Sequence, residues 1–171
     1  MKNMHGQTLV ELIVSLLVLG TLLTSALTTF SSLLRNHQQT QAVNQLIGAL
    51  HYARAVAALE RTTVTLCSGK EQCDPTKIWK DQLLAFSDPN VNGQLDGSEK
   101  LLQNFNLQPG YSWQWSNFRN RPYIQLEADG TTRALNGTFT LCHQGNATKQ
   151  VVINLTGRAR AQTALTNASC K

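Results

Sequence analysis

The strongest constraint on what this chain can fold into is an apolar run near its start. From Leu12 to Phe30 it reads LIVSLLVLGTLLTSALTTF, with no charge, long enough as a helix to cross a hydrocarbon core about 30 Å thick. A cleaved secretory signal has a shorter apolar core, typically about 7 to 15 residues, with positive charge before it and small residues after it. Lys2 lies far upstream of this run, and Glu11 interrupts its entry. Glu11 is also the only Asp, Glu, Lys or Arg between Lys2 and Arg35. A carboxylate at the edge of an apolar span favours a neighbouring cation, because leaving an unpaired charge short of water costs free energy. The segment is therefore expected to be one membrane-crossing helix whose acid is neutralised by a partner.

With 171 residues, 42% of them hydrophobic, the chain has room for one ordinary domain plus this accessory segment. Its formal charge of +5 is unevenly spread. From Gly130 to Lys171 there is no Asp or Glu, only Arg133, Lys149, Arg158, Arg160 and Lys171, while acids gather between Glu71 and Glu99. A basic C-terminal third suits either an anionic partner or plain solubility. Cys67, Cys73, Cys142 and Cys170 form an even set without the C-x-x-C spacing of zinc or thioredoxin-like sites. Four cysteines allow three pairings. The pairing expected is Cys67 with Cys73, closing a short loop, and Cys142 with Cys170, fastening the C-terminus in an oxidising compartment.

Past Arg35, Val43, Leu46, Ile47, Leu50, Ala53 and Ala57 recur at three- and four-residue steps among polar neighbours, predicting an amphipathic helix to about Arg61. Strand-like runs follow at Thr62 to Cys67, Ile78 to Phe86, Tyr111 to Phe118, Tyr123 to Ala128, Thr138 to Cys142 and Gln150 to Thr156. A helix followed by strands predicts an α+β fold, with the helix covered by an antiparallel, β-rich head. In YSWQWS, from Tyr111, the aromatics share one parity, which points to a buried face more than to a base-stacking surface. Tight turns are expected at Asn92-Gly93, Asp96-Gly97, Asp129-Gly130 and Asn136-Gly137.

The opening MKNMHGQTLVELIV resembles the leader of type IV pilins: a short basic peptide, a Gly, then an apolar run with a Glu four residues past the cleavage point. The resemblance implies that prepilin peptidase cuts between Gly6 and Gln7, that the new N-terminus is methylated, and that Glu11 pairs with the terminal amine of a neighbouring subunit. Gln7 stands where pilins usually begin with Phe, and the first Pro is Pro75. TVTLC at 63–67, DPNVNGQLDGSEKLL from Asp88, GTFTLC at 137–142 and VVINLTGRAR at 151–160 extend the likeness to the GspH/FimT family of minor pilins and pseudopilins, FimT most of all. This implies a leader at 1–6, a transmembrane and filament-core helix at 7–34, its amphipathic continuation at 35–61 and a head at 62–171. Such a chain would sit in the bacterial inner membrane by a single pass, head in the periplasm, and then join other pilins in a filament.

Gly157-Arg158-Ala159-Arg160 matches the G-R-x-R motif that, in FimT-like members, is implicated in DNA binding during natural transformation. The residues support it independently. If the strand carrying Val151, Ile153 and Leu155 inward stays extended past Gly157, Arg158 and Arg160 project together on the other side, about 6.6 Å apart, whereas a turn or bulge at Gly157 breaks that parity. Arginine forks suit phosphate oxygens, and Lys149 and Arg133 would add charge. The competing readings are pairing with acids such as Glu127, solvation of an edge strand, and a type II secretion pseudopilin without nucleic-acid function. Asp88, Asn90, Asn92, Gly93, Gln94 through its carbonyl, Asp96 and Glu99 follow the order of an EF-hand calcium loop, and a polar loop of Asx turns explains the same residues. No cofactor is required, calcium being the one ion for which the sequence offers a loop. His5, His37, His51 and His143 are isolated, and no nucleophile motif is present, so no enzyme activity is expected.

Overall fold

A computed structural model of the chain describes residues 8–170, and of residues 23–29 the backbone alone. The chain divides into two compact units, Met1–Gln38 and Gln39–Lys171. One helix, α1 (Leu9–Glu60), contributes to both. In the first unit its described side chains, Leu9, Leu12, Ile13, Leu16 and Leu19 among them, are exposed. Among the described residues no helix is long and apolar enough to cross a membrane. The apolar run expected to do so includes residues 23–29, whose side chains lie outside that description.

In the second unit α1 turns one face inward. Ala42, Leu46, Ala49, Leu50, Ala53 and Ala57 are buried, at the spacing a helix needs to keep one stripe on a core. The alanines let the helix backbone approach closely. The helix stops in a Schellman turn: Arg61 adopts a left-handed φ of 51°, and the Thr62 amide donates to the Ala57 carbonyl at 3.2 Å.

Two antiparallel sheets complete this unit. The four-stranded sheet has β4 (Leu101–Asn106), β3 (Gln82–Ser87), β1 (Val64–Ser68) and β6 (Ile124–Leu126) in that order. The five-stranded sheet runs β2 (Ile78–Trp79), β5 (Ser112–Asn117), β7 (Gly137–His143), β8 (Asn146–Ile153) and β9 (Ala159–Thr163). The fold is thus α+β. The run from Ile78 to Phe86 is two strands in different sheets, because Lys80 and Asp81 turn the chain, Asp81 with a φ of 61°. Asn136-Gly137 is not a tight hairpin. Gly137 opens β7, where a Cβ would lie 2.2 Å from the Ser116 carbonyl oxygen, so glycine allows a close backbone approach. The β7–β8 hairpin turns instead at Gln144-Gly145, both with positive φ.

The aromatics of β5 belong to the core. Trp113 and Trp115 are buried, Trp115 stacks on Phe139 with centroids 3.9 Å apart, and Trp79 lies 4.6 Å from the same ring. Their polar ends are satisfied: the Trp115 indole donates to the Tyr123 carbonyl and the Trp79 indole to that of Pro122. Both expected disulfides are present, Cys67–Cys73 and Cys142–Cys170.

Candidate nucleic-acid interface

The two motif arginines sit where the chain reverses between β8 and β9, and Asn154 organises that reversal. Its side-chain oxygen accepts from the Arg158 amide at 2.9 Å and from the Thr156 hydroxyl at 2.8 Å, while its carbonyl accepts from the Gly157 amide at 3.0 Å. An Asx residue that mimics a backbone turn in this way is a strong local chain reverser. Extension therefore does not persist past Gly157, and Leu155, expected inward, is 55% exposed at the bend. Gly157 has a φ of 72°, and a Cβ there would lie 2.2 Å from the Gly130 carbonyl oxygen. The motif glycine is fixed by backbone geometry and by contact with a second turn.

The hairpin nevertheless brings the arginines together. Arg160 pairs with Val152, opposite in face to the buried Val151 and Ile153, so it lies on the outer face of the sheet. Val152, Asn154, Arg158, Ala159 and Arg160 line one surface depression of about 470 Å³. Both arginines are exposed, and Arg160 donates to the Gln162 side chain at 3.3 Å. Among the described residues the ion pair is Arg133–Glu127, at 2.9 Å, and neither Arg158 nor Arg160 joins one.

Two other expected contributors are placed elsewhere. Arg133 spends its charge on Glu127 and lines a different depression. Lys149 is three residues from Val152 along β8, so its side chain leaves the opposite face from Arg160. A short loop that sequence reasoning overlooked stands at the end of β5: Phe118, Arg119, Asn120 and Arg121. The Asn117 side chain clasps it, accepting from the Arg121 amide and donating to the Arg121 carbonyl at 3.0 and 2.8 Å. The signal was available, since Asn117, Phe118, Arg119 and Arg121 interleave an aromatic with cations between two strands.

The stretch from Asp88 to Glu99 folds as a loop of Asx turns. Asp88 is fully buried, and its carboxylate accepts from the Thr65 hydroxyl, the Gln125 amide and the backbone amides of Asn92 and Gly93 at 2.6 to 3.1 Å. The Asn90 and Asn92 side chains donate their amides to Asp96, and their oxygens accept from the Asn92 and Gln94 backbone. Most of the oxygens expected to face calcium thus satisfy the protein itself, whereas Oε1 of Glu99 is buried without a hydrogen-bond partner, its Oε2 accepting from the Asp96 amide. Among the described residues no group of three His, Cys, Asp or Glu is gathered for a metal. Burial lifts the Glu99 carboxyl above the usual range, the Asp96 amide opposes it, and the Asp88 and Asp96 carboxylates add to it.

Gly6 and Gln7 lie outside the described residues. Glu11 is exposed in the first turn of α1, and its amide approaches the Thr8 hydroxyl at 3.4 Å. Thr8 and Glu11 are spaced as a capping box, and a carboxylate there also faces the positive end of the helix dipole.

Comparison with known proteins agrees with this architecture. The type IV minor pilin FimU of Pseudomonas aeruginosa strain PAO1 has a similar fold in two crystal forms. One matches at a TM-score of 0.55 and 19% identity over 72% of this chain and 91% of that one. The other gives 0.54 and 19% over 80% and 95%. No curated protein matches this chain. Residues 1–27 match the prokaryotic N-terminal methylation motif. With that motif ahead of α1, and with residues 42–157, from the buried face of the helix to the Gly157 turn, matching the family described as type II transport protein GspH, the chain belongs to the GspH family.

Proposed function

We propose that the chain is a minor subunit of a type IV pilus that binds DNA non-specifically through Arg158 and Arg160 and supports DNA uptake in natural transformation. One observation carries the reading. Two arginines free of ion pairs among the described residues line a single depression on a sheet whose five strands contain no Asp or Glu. Guanidinium forks bind phosphate oxygens in pairs, and no carboxylate on these strands or in the lining of the depression competes for them. Prepilin peptidase would release Gln7, residues 7–34 would hold the subunit in the inner membrane and then in the filament, and Glu11 would meet the terminal amine of a neighbouring pilin. The head would face the periplasm before assembly. No cofactor enters this reading.

Two to four phosphates per subunit give weak binding, of order 10⁻⁴ to 10⁻⁶ M, with log affinity falling by about 0.9 per phosphate against log salt. Several subunits or partner pilins would raise the avidity. The test is a mobility shift with full-length protein in detergent at several salt concentrations. Arg158→Ala combined with Arg160→Ala should abolish the shift and lower transformation while pili still assemble. Unchanged DNA retention by the double variant would refute the reading.

A second reading is favoured by the family match itself: a pseudopilin of type II secretion that does not bind nucleic acid. It predicts no salt-dependent shift with the unmodified chain, and loss of protein secretion when the chain is removed.

A further inference from the structure

Phe118 is 85% exposed, more than any other large apolar side chain among the described residues. Its loop is not slack. The two Asn117 hydrogen bonds close it, the Phe118 amide reaches the Asn136 carbonyl, Asn120 holds a left-handed φ of 55°, and the Lys77 ammonium donates to the Asn120 side chain. Arg119 and Arg121 follow Phe118 in the same loop, both exposed, and line with Arg133 a depression of about 310 Å³ in whose wall no Asp or Glu takes part.

Strand register places this loop at the same end of the five-stranded sheet as the arginine hairpin. Asn117 pairs with Gly137, Gly137 with Ile153, and Ile153 with Ala159. Three strand spacings of about 4.8 Å separate Asn117 from Ala159, roughly 14 Å, a span that a few nucleotides of one strand can cross. The next row in, on the outer face, is Ser116, Thr138, Val152 and Arg160. Its three residues short of Arg160 are small or medium and uncharged, so a chain crossing from the hairpin to Phe118 meets neither an acid nor a bulky wall.

We propose that Phe118 is a stacking platform for an unpaired base, so that a single strand lies across this end of the sheet with phosphates on Arg158 and Arg160 and a base on the Phe118 ring beside Arg119 and Arg121. The inference rests on the DNA-binding reading above and names the form of nucleic acid. A duplex offers its phosphates to the arginines, but its base faces already cover one another. A single strand has base faces to give, and ring stacking tolerates any sequence.

The experiment measures anisotropy of a fluorescent oligothymidylate and of a duplex of equal length, each titrated with full-length protein in detergent, for the unmodified chain, Phe118→Ala, Phe118→Trp and the Arg158→Ala, Arg160→Ala double variant. Circular dichroism checks that each is folded. Phe118→Ala should weaken single-strand binding about tenfold, from the ~1 to 3 kcal/mol of one base on an aromatic ring. Duplex binding should change less than twofold, and Phe118→Trp should restore the single-strand affinity. Equal single-strand affinity for Phe118→Ala and the unmodified chain, with the double arginine variant impaired, would overturn the platform while leaving the arginine reading intact. Binding unaffected by the double variant would overturn both. A Phe118→Ala effect on self-association alone, seen by sedimentation, would assign the ring to another copy of the chain and overturn the platform.

Discussion

Gly157 shows how one residue sets the position of two others. Its left-handed backbone and its contact with the Gly130 carbonyl leave no room for a Cβ. Gly157→Ala should therefore cost at least about 2 kcal/mol, from strain and displacement together, and should weaken DNA binding although both arginines remain. Thermal melts and the mobility shift check these outcomes. Glu99 has a pH signature. A carboxyl held above its ordinary range keeps its proton more tightly when folded. It favours the native state most below the unfolded Glu range, and that contribution is lost as pH rises through the folded value. Glu99→Gln retains an acceptor for the Asp96 amide without the charge. It should raise the melting temperature at neutral pH and leave it unchanged near about pH 3, where both forms are neutral; melts at the two pH values decide. The G-R-x-R residues were legible in the sequence as a motif, and so was a turn or bulge at the glycine, but not its contact, because the partner is a turn 27 positions earlier.

At the scale of elements, the C-terminal segment is held by more than its disulfide. The Leu165 amide reaches the buried Gln150 side chain at 3.3 Å, and the Ala164 amide reaches the Thr148 carbonyl. Cys142–Cys170 closes a separation of 28 residues, for which chain entropy predicts roughly 3 to 4 kcal/mol, against about 2 kcal/mol for the six-residue separation of Cys67–Cys73. Replacing Cys142 and Cys170 with serine should lower stability more than replacing Cys67 and Cys73, as denaturant titration would show. Alternation made β5 and β7 readable, since one face of each is buried among rings. The last hairpin was not readable that way. Its strand β9 is a mostly exposed edge whose inner face is marked by alanines alone, Ala159 touching the core, and its reversal depends on Asn154, whose Asx turn leaves no mark in a hydrophobic pattern.

For the whole molecule, the fold class followed from order along the chain: an amphipathic helix, then strands, leaves little but a helix laid on sheets. Partition into two sheets did not follow, because one left-handed residue, Asp81, separates β2 from β3. The candidate interface was partly legible for the same reason. Arg158 and Arg160 are neighbours in sequence, whereas Phe118 reaches them only through three strand pairings. Those pairings also separate the two ends of the five-stranded sheet. Cys170, bonded to Cys142, stands beside Tyr111 and Gly145 at the end away from the arginine hairpin. A dye or affinity handle placed after Cys170 would therefore be anchored clear of the basic end, giving a reporter of DNA capture that does not itself obstruct the surface being probed.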